Sequence, residues 1–258
     1  MITIDTNKLA TGWVGQNWIK LKEVNSTNEY LKQHGVSLPD GTVVTAQCQT
    51  EGRGRGGSHW NSDHNGALYL SVLLKNCPKI RSLPLVMGLA AARAVEKLSG
   101  IDCQIKWPND IILQNKKLAG ILCESRIMGA SQYAVCGIGV NVLQPQSYFD
   151  ACHLPYGISI FAASGLDCSV LTVGTKILEE LEPLIELYRT QGFVALKQDY
   201  RLHSATVGKQ IRLITADGEE LGEAVDLTEE GELICKISGK LKVVTAGEVS
   251  IRGLYGYV

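Results

Sequence analysis

"EGRGRGGSHW", residues 51–60, sets two arginines among four glycines ahead of a tryptophan, and its reading decides the fold class. Gly52, Gly54 and Gly57 satisfy the G-x-G-x-x-G spacing of dinucleotide-binding loops. That spacing carries weight only where a helix starts on the glycines and an acid closes the next strand. Here the loop runs through "SHWNSDHNG" into the apolar "GALYLSVLL" (66–74), and "SVLLKNC" brings no acid. A Walker loop needs Gly-Lys-Ser/Thr, and a kinase needs H-R-D and D-F-G; the sequence has none of these. Two readings remain: a mobile surface loop, or an anion clamp. Arg53 and Arg55 alternate, so on an extended chain they point to one side as paired forks for phosphate or carboxylate. Trp60 suits a solvated loop poorly and suits a lid over a ring well. Ordering about six such residues costs on the order of 6–12 kcal/mol, while two charge-assisted contacts return roughly 1.5–3 kcal/mol each. The arginines alone do not hold the loop shut. The sequence therefore predicts a loop disordered in the empty protein, folding over an anionic ligand with substantial apolar surface.

On either side of the loop the pattern mixes strands, hairpins and helices. "NWIKLKEV" (17–24) reads as a strand. "STNEYLKQHG" reads as a helix, with a Ser26–Glu29 capping box and Gly35 as its stop. "GTVVTAQCQ" (41–49) is a strand entering the loop, and "GALYLSVLL" is apolar enough to be buried on both faces. A helix over 82–99 has Ser82 as cap, Pro84 in its first turn and Gly100 as its end. Strands follow at 103–107, 110–114, 117–125 and 133–142, with Asn115-Lys116 as a tight turn. A longer helix spans roughly 168–190, and Pro183 should kink or break it. From about residue 206, short strands are separated by Asp217-Gly218, Glu230-Gly231 and Ser238-Gly239, the texture of a small β-barrel. The expected class is α+β: a mixed-sheet domain over 1–205, then an all-β domain over 206–258.

The totals agree with a main domain plus a small one: 258 residues, 45% hydrophobic and 20% charged. A net charge of −1 supplies no global field for nucleic acid or an anionic membrane, so neither is an expected partner. The start lacks a basic segment followed by an apolar run, and no uncharged apolar stretch reaches membrane-spanning length. Eight scattered cysteines without a C-x-x-C pair read as reduced thiols, and the expected location is the cytoplasm.

Two further motifs bear on the anion clamp. "KWPND" (106–110) reads by itself as a Pro-Asn-Asp turn with Trp107 packed inward. "KLAGIL" (117–122) begins seven residues after Asp110, and alone Lys117 would be an edge-strand cation. Taken together and in this order, Gly-Arg-Gly-Arg, Trp60, Lys-Trp-Pro-Asn-Asp and Lys-Leu-Ala-Gly-Ile-Leu resemble the biotin protein ligases. The likeness extends to "NSTNEYL" (25–31), "GALYLSVLL", "GIGVNV" (137–142) and a closing "GEVSIRG" (247–253), so it covers nearly the whole chain.

The resemblance implies a class II synthetase-like, biotin–lipoyl ligase catalytic domain followed by an SH3-like barrel. It implies that Ser26, Thr27 and Asn28 contact biotin, at a helix N-terminus whose free N–H groups suit the task. Gln49 would bond the ligand's polar ring. Arg53, Gly54 and Arg55 would wrap the biotin carboxylate and the nucleotide phosphate, and Trp60 would lie near the adenine. Lys106, Asn109, Asn141 and Arg252 are implied on the nucleotide side. Lys117 would span carboxylate and phosphate, with Asp110 orienting or deprotonating an acceptor lysine. ATP with Mg²⁺ carried on its triphosphate, biotin, and a biotin carboxyl carrier protein such as that of acetyl-CoA carboxylase are the implied partners, with no metal site in the protein. A homodimer through sheet pairing is also implied. The chain departs from the pattern at Gly56-Gly57-Ser58-His59, where relatives often carry a further basic residue. About twenty residues precede the first strand, too few for the DNA-binding module of some members, so no DNA partner is expected. A lipoyl ligase and a non-catalytic sensor of small molecules are the alternatives. The first differs only in its acyl pocket, and the second has no need of the residues for both steps.

Overall fold

The apolar run at 67–74 is buried throughout, and it forms an inner strand of a seven-stranded sheet. A computed structural model of the chain describes residues 9–62, 65–77, 80–128, 131–215, 218–246 and 250–253. In chain order the first elements are β1 (Trp18–Val24), α1 (Thr27–His34), β2 (Val43–Gln49), β3 (Ala67–Lys75) and α2 (Leu83–Ser99). Then come β4 (Cys103–Lys106), β5 (Asp110–Leu113), β6 (Lys116–Met128), β7 (Ser131–Asn141), α3 (Gln146–Ala151), α4 (Ile160–Ser164), α5 (Val170–Gln191) and α6 (Lys197–Leu202). The sheet runs β1-β2-β3-β7-β6-β5-β4. Its β1–β2 pair is parallel, joined by α1 as a crossover, and its other pairs are antiparallel.

Both faces of β3 are covered, which explains its lack of polar alternation. Leu68, Leu70, Val72 and Leu74 join the large core with residues of α2 and α5. Leu73 packs on the opposite face with Leu31 of α1, Val44, Tyr133 and Val135. Ser71 lies on that second face and is the polar exception in the run.

The chain ends in a five-stranded antiparallel sheet of β8 (Gln210–Thr215), β9 (Gly218–Leu227), β10 (Leu233–Ile237), β11 (Lys240–Val244) and β12 (Ser250–Gly253), ordered β11-β10-β9-β8-β12. It is fastened to the larger sheet: Trp107 Nε1 donates to Gly231 O at 3.0 Å, and Ser82 Oγ to Glu230 O at 2.5 Å.

Several local expectations differ from the structure. The Ser26–Glu29 capping box is not made, because Glu29 is drawn to Lys32 and Arg53 instead. Ser82 stands at the start of α2 but spends its hydroxyl on Glu230. The β5–β6 turn is Gln114-Asn115, one residue earlier than expected, with φ of 50° and 61°. This two-residue loop with both residues left-handed matches the twist of the flanking strands. α5 continues through Pro183 to Gln191 as one helix. The short helices α3, α4 and α6 carried too little periodicity to be read. Asp217 of the expected Asp217-Gly218 turn and Gly247–249 of the closing motif lie outside the described residues.

Candidate active site

The start of α1, the end of β2, the glycine loop, the β4–β5 turn and the middles of β6 and β7 enclose a cleft of about 370 Å³. Of the described site residues that the resemblance implies, all line it except Asn141.

The inner end of the cleft is a chain of hydrogen bonds among neutral side chains that ends on the Glu124 carboxylate. Gln49 Oε1 accepts from the Thr27 N–H at 2.9 Å and from the Thr27 hydroxyl at 3.1 Å, while its Nε2 donates to Ser62 Oγ. Ser71 Oγ lies 2.7 Å from both Thr27 Oγ1 and Asn28 Oδ1. Asn28 Nδ2 donates to Leu122 O at 3.0 Å and to Glu124 Oε2 at 2.9 Å. Gly137 is what admits Asn28: a Cβ built there would stand 2.2 Å from Asn28 Oδ1. Ser26, Thr27 and Asn28 are all buried, and polar groups held in so dry a place present fixed donors and acceptors to a small polar ring.

Charge gathers at the outer end. Lys117 Nζ meets Asp110 Oδ1 at 2.7 Å and lies 5.4 Å from the centre of the Trp60 ring. Trp60 rests on two glycines, since a Cβ at Gly139 or Gly120 would come within 2.5 or 2.9 Å of its ring. Its buried Nε1–H has no acceptor among the described residues. Arg55 Nη1 donates to Asn109 Oδ1 at 3.0 Å, and Asn109 is itself fixed by donating to Ile121 O. Burial pulls the Arg55 guanidinium below its ordinary pKa and the nearby Asp110 charge opposes this, yet arginine remains a cation. Lys106 is buried in the same wall.

The backbone of Lys117 is held from outside the sheet. Its N–H donates to Tyr156 O at 2.6 Å, and its carbonyl accepts from Ile158 N at 3.1 Å, so 156–158 acts as a short surrogate strand. On its other side β6 pairs with β5, where a register shift between Ile111 and Ile112 re-aims the side chains.

The glycine loop is folded in this structure. Gly54 N donates to Ser58 O at 2.7 Å, and Arg53 bridges His59 across a 3-10 turn at Arg55–Gly57. Arg53 is not a free fork. Its Nη2 contacts Glu29 Oε2 at 2.5 Å, and its Nη1 lies 3.9 Å from Glu124 Oε1. The hydrogen bond that Arg53 donates to Glu29 raises the pKa of its guanidinium. Glu29 is expected from the sequence only as a helix cap, and Glu124 is not expected at all; the signal for both as site neighbours is an acid flanking motif residues, in "STNEYL" and "KLAGILCE". Ser71 is not expected either, although a lone hydroxyl in an apolar run was there to be noticed.

Asn141 lies outside the cleft lining: its Nδ2 donates to Ile158 O and its Oδ1 accepts from Gln144. Arg252 pairs with Arg212 along β12, and its side chain lies outside the described residues.

The chain matches the biotin/lipoate A/B protein ligase family over residues 21–141 and the biotin protein ligase C-terminal domain over residues 206–252. It is 33% identical over 254 residues to the biotin--[acetyl-CoA-carboxylase] ligase of Mycobacterium tuberculosis, covering 91% of this chain and 90% of that one. It is 30% identical over 236 residues to the bifunctional ligase/repressor BirA of Escherichia coli, covering 90% of this chain and 73% of BirA. A solved biotin protein ligase from Aquifex aeolicus in complex with biotin and ATP matches with a TM-score of 0.80 and 32% identity, over 92% of this chain and 99% of the other.

Proposed function

This chain belongs to the biotin/lipoate A/B protein ligase family, and from that premise we propose that its cleft joins biotin to ATP and passes biotin to a carrier lysine. In the first step a biotin carboxylate oxygen attacks the α-phosphorus of ATP. The bond to the leaving pyrophosphate breaks, and biotinyl-5′-adenylate forms. In the second, the neutral amine of a biotin carboxyl carrier lysine attacks the acyl carbon. The bond to AMP breaks, and the amine's extra proton leaves for a base.

One observation carries this reading: a polar inner pocket for a ring and a cationic outer end for an acid lie in one cleft. A cyclic urea offers one acceptor and two donors, which suits the Thr27–Gln49–Ser71–Asn28 chain better than the dithiolane of a lipoyl group does. The outer end addresses the main barrier. Two like charges at 4 Å repel by about 4 kcal/mol at an effective dielectric of 20. The Lys117 ammonium, assigned to the space between carboxylate and phosphate, offsets that repulsion, and Arg55 extends the positive field toward the phosphates. Arg53 and Gly54 flank the carboxylate, and Trp60, Lys106 and Asn109 flank the nucleotide, with Asn141 and Arg252 as outer members. Asp110 orients Lys117 in the first step and takes the acceptor's proton in the second.

Among the described residues no three His, Cys, Asp or Glu side chains gather as a ligand set for a metal. Magnesium belongs in this reading to the triphosphate. The two domains divide at 205/206, a boundary supported by the start of the C-terminal family match and of β8 just after it. We place the enzyme in the cytoplasm. No helix among the described residues is long and apolar enough to cross a membrane. β4 carries the bridge from Ile105 to Ser204, which leaves β1 as the edge for a homodimer.

Transfer of labelled biotin to a carrier domain tests the whole reading. Pyrophosphate release with biotin against lipoate tests the acyl group. Lys117→Ala should abolish adenylate formation, whereas Asp110→Ala should mainly slow transfer. Adenylate made by purified Lys117→Ala at the parent rate would remove Lys117 from its role.

A further inference from the structure

Ser71 is fully buried in the apolar run of β3, directly opposite Gly137 in the β3–β7 register. A hydroxyl in such a place is costly unless it is paired, and its pairing here is uneven. Ser71 Oγ lies 2.7 Å from Thr27 Oγ1 and 2.7 Å from Asn28 Oδ1, yet it has one proton to give. Neither neighbour returns one. The Thr27 hydroxyl donates to Gln49 Oε1 at 3.1 Å. The Asn28 amide turns its nitrogen to Leu122 O and Glu124 Oε2, so its oxygen faces Ser71. Among the described residues no other donor reaches Thr27 Oγ1 or Asn28 Oδ1. Two oxygens of the ring pocket thus share a single proton.

We infer that Ser71 is a positioning residue: its one proton leaves this pair of oxygens one donor short, and an N–H of the biotin ring makes up the count. When a ring N–H reaches one oxygen, the Ser71 hydroxyl turns to the other, and neither acceptor is left bare as the ligand displaces water. A dithiolane has no N–H and leaves the shortfall in place, so the same hydroxyl bears on the choice of acyl group. Ser71 is not part of the cleft lining; it acts through Thr27 and Asn28, which are. The inference rests on the ligase reading and adds to it the donor count that a ring must meet.

Calorimetric titration of the full-length chain with biotin, together with a pyrophosphate-release assay, tests this. Ser71→Ala removes the shared proton, so a bound ring N–H satisfies one oxygen and leaves the other buried without a donor. Biotin should bind about five- to a hundredfold more weakly, the span for one such acceptor. At saturating biotin, kcat and the KM for ATP should both stay parental, because the hydroxyl touches only the ring end. Ser71→Thr keeps the hydroxyl and should restore biotin binding, while Ser71→Cys, a weaker donor, should fall between the two. Parental biotin affinity in Ser71→Ala would overturn the inference. So would a fall in kcat and a rise in the KM for ATP alongside the biotin loss, the mark of a general disturbance of the sheet. If Ser71→Ala does not fold, Ser71→Cys carries the same comparison. A parent that binds no biotin would overturn the ligase reading and this inference with it, whereas a parent that binds biotin no more tightly than Ser71→Ala overturns the donor count alone.

Discussion

Gly137 and Gly139 show how single atoms divide the cleft. Both lie on β7, two residues apart, and both face the cleft because alternate residues of a strand share a face. A methyl at Gly137 meets Asn28 Oδ1 at 2.2 Å, whereas a methyl at Gly139 meets the Trp60 ring at 2.5 Å. Gly137→Ala should therefore weaken biotin by about tenfold or more, from roughly 1–3 kcal/mol of overpacking, and leave ATP affinity near its parental value. Gly139→Ala should do the reverse, acting on ATP through Trp60. Separate titrations with each ligand distinguish the two, and equal effects on both ligands would contradict the division. At this scale the sequence revealed residue types well and partners poorly. Arg53, Arg55 and Lys117 were legible as cations in a motif. That Arg53 sits on Glu29 and Arg55 on Asn109 depended on atoms that chain distance does not order, whereas the β5–β6 hairpin by itself brings Asp110 to Lys117.

Among the elements, the β5–β6 hairpin and the surrogate strand at 156–158 together aim Lys117. The hairpin was readable, because a polar pair between apolar runs is a local signal, although its turn fell one residue early. The surrogate strand was not: it pairs with Lys117 across 40 residues of chain, through backbone groups that carry no side-chain signature. Gly157 lets that segment approach, since a Cβ there would come 2.4 Å from Phe149 Cδ1 of α3. Gly157→Ala should displace the segment and cost adenylate formation about tenfold, equivalent to roughly 1.4 kcal/mol, in a pyrophosphate-release assay. A variant with parental turnover would show that β5 alone suffices to position Lys117. The long helices α2 and α5 were legible because their apolar spacing extends over many turns. α3, α4 and α6 were too short for period to emerge.

Across the whole molecule, the C-terminal sheet shares the large buried core with the first domain and adds specific polar ties to it. Asp226 of β9 reaches back to Lys197 at 2.9 Å and Arg201 at 3.2 Å on α6. Burial pushes its carboxyl up, but the hydrogen bonds from Lys197 and the Leu227 N–H, with the charges of Lys197 and Arg201, hold it below the usual range. A depressed carboxylate contributes stability above its unfolded pKa and loses it as pH falls through the folded one. Asp226→Asn should accordingly cost about 0.5–1 kcal/mol at neutral pH, a figure reduced by solvent screening. The gap to the parent should close in acid, as followed by urea unfolding at both pH values; a gap that persists unchanged in acid would assign the loss to packing. What the sequence determined by itself was the class of the fold, its two-part division of texture and the motif residues of the cleft. Periodicity, turn residues and short motifs are local properties, written in consecutive positions. What only the tertiary structure decided was which charges neutralise one another, which glycines receive a side chain, and that the glycine loop lies closed on Glu29 and Glu124. Those outcomes depend on distances of a few ångströms between groups far apart in the chain, and such distances exist only after the sheet, α1 and the loop have packed.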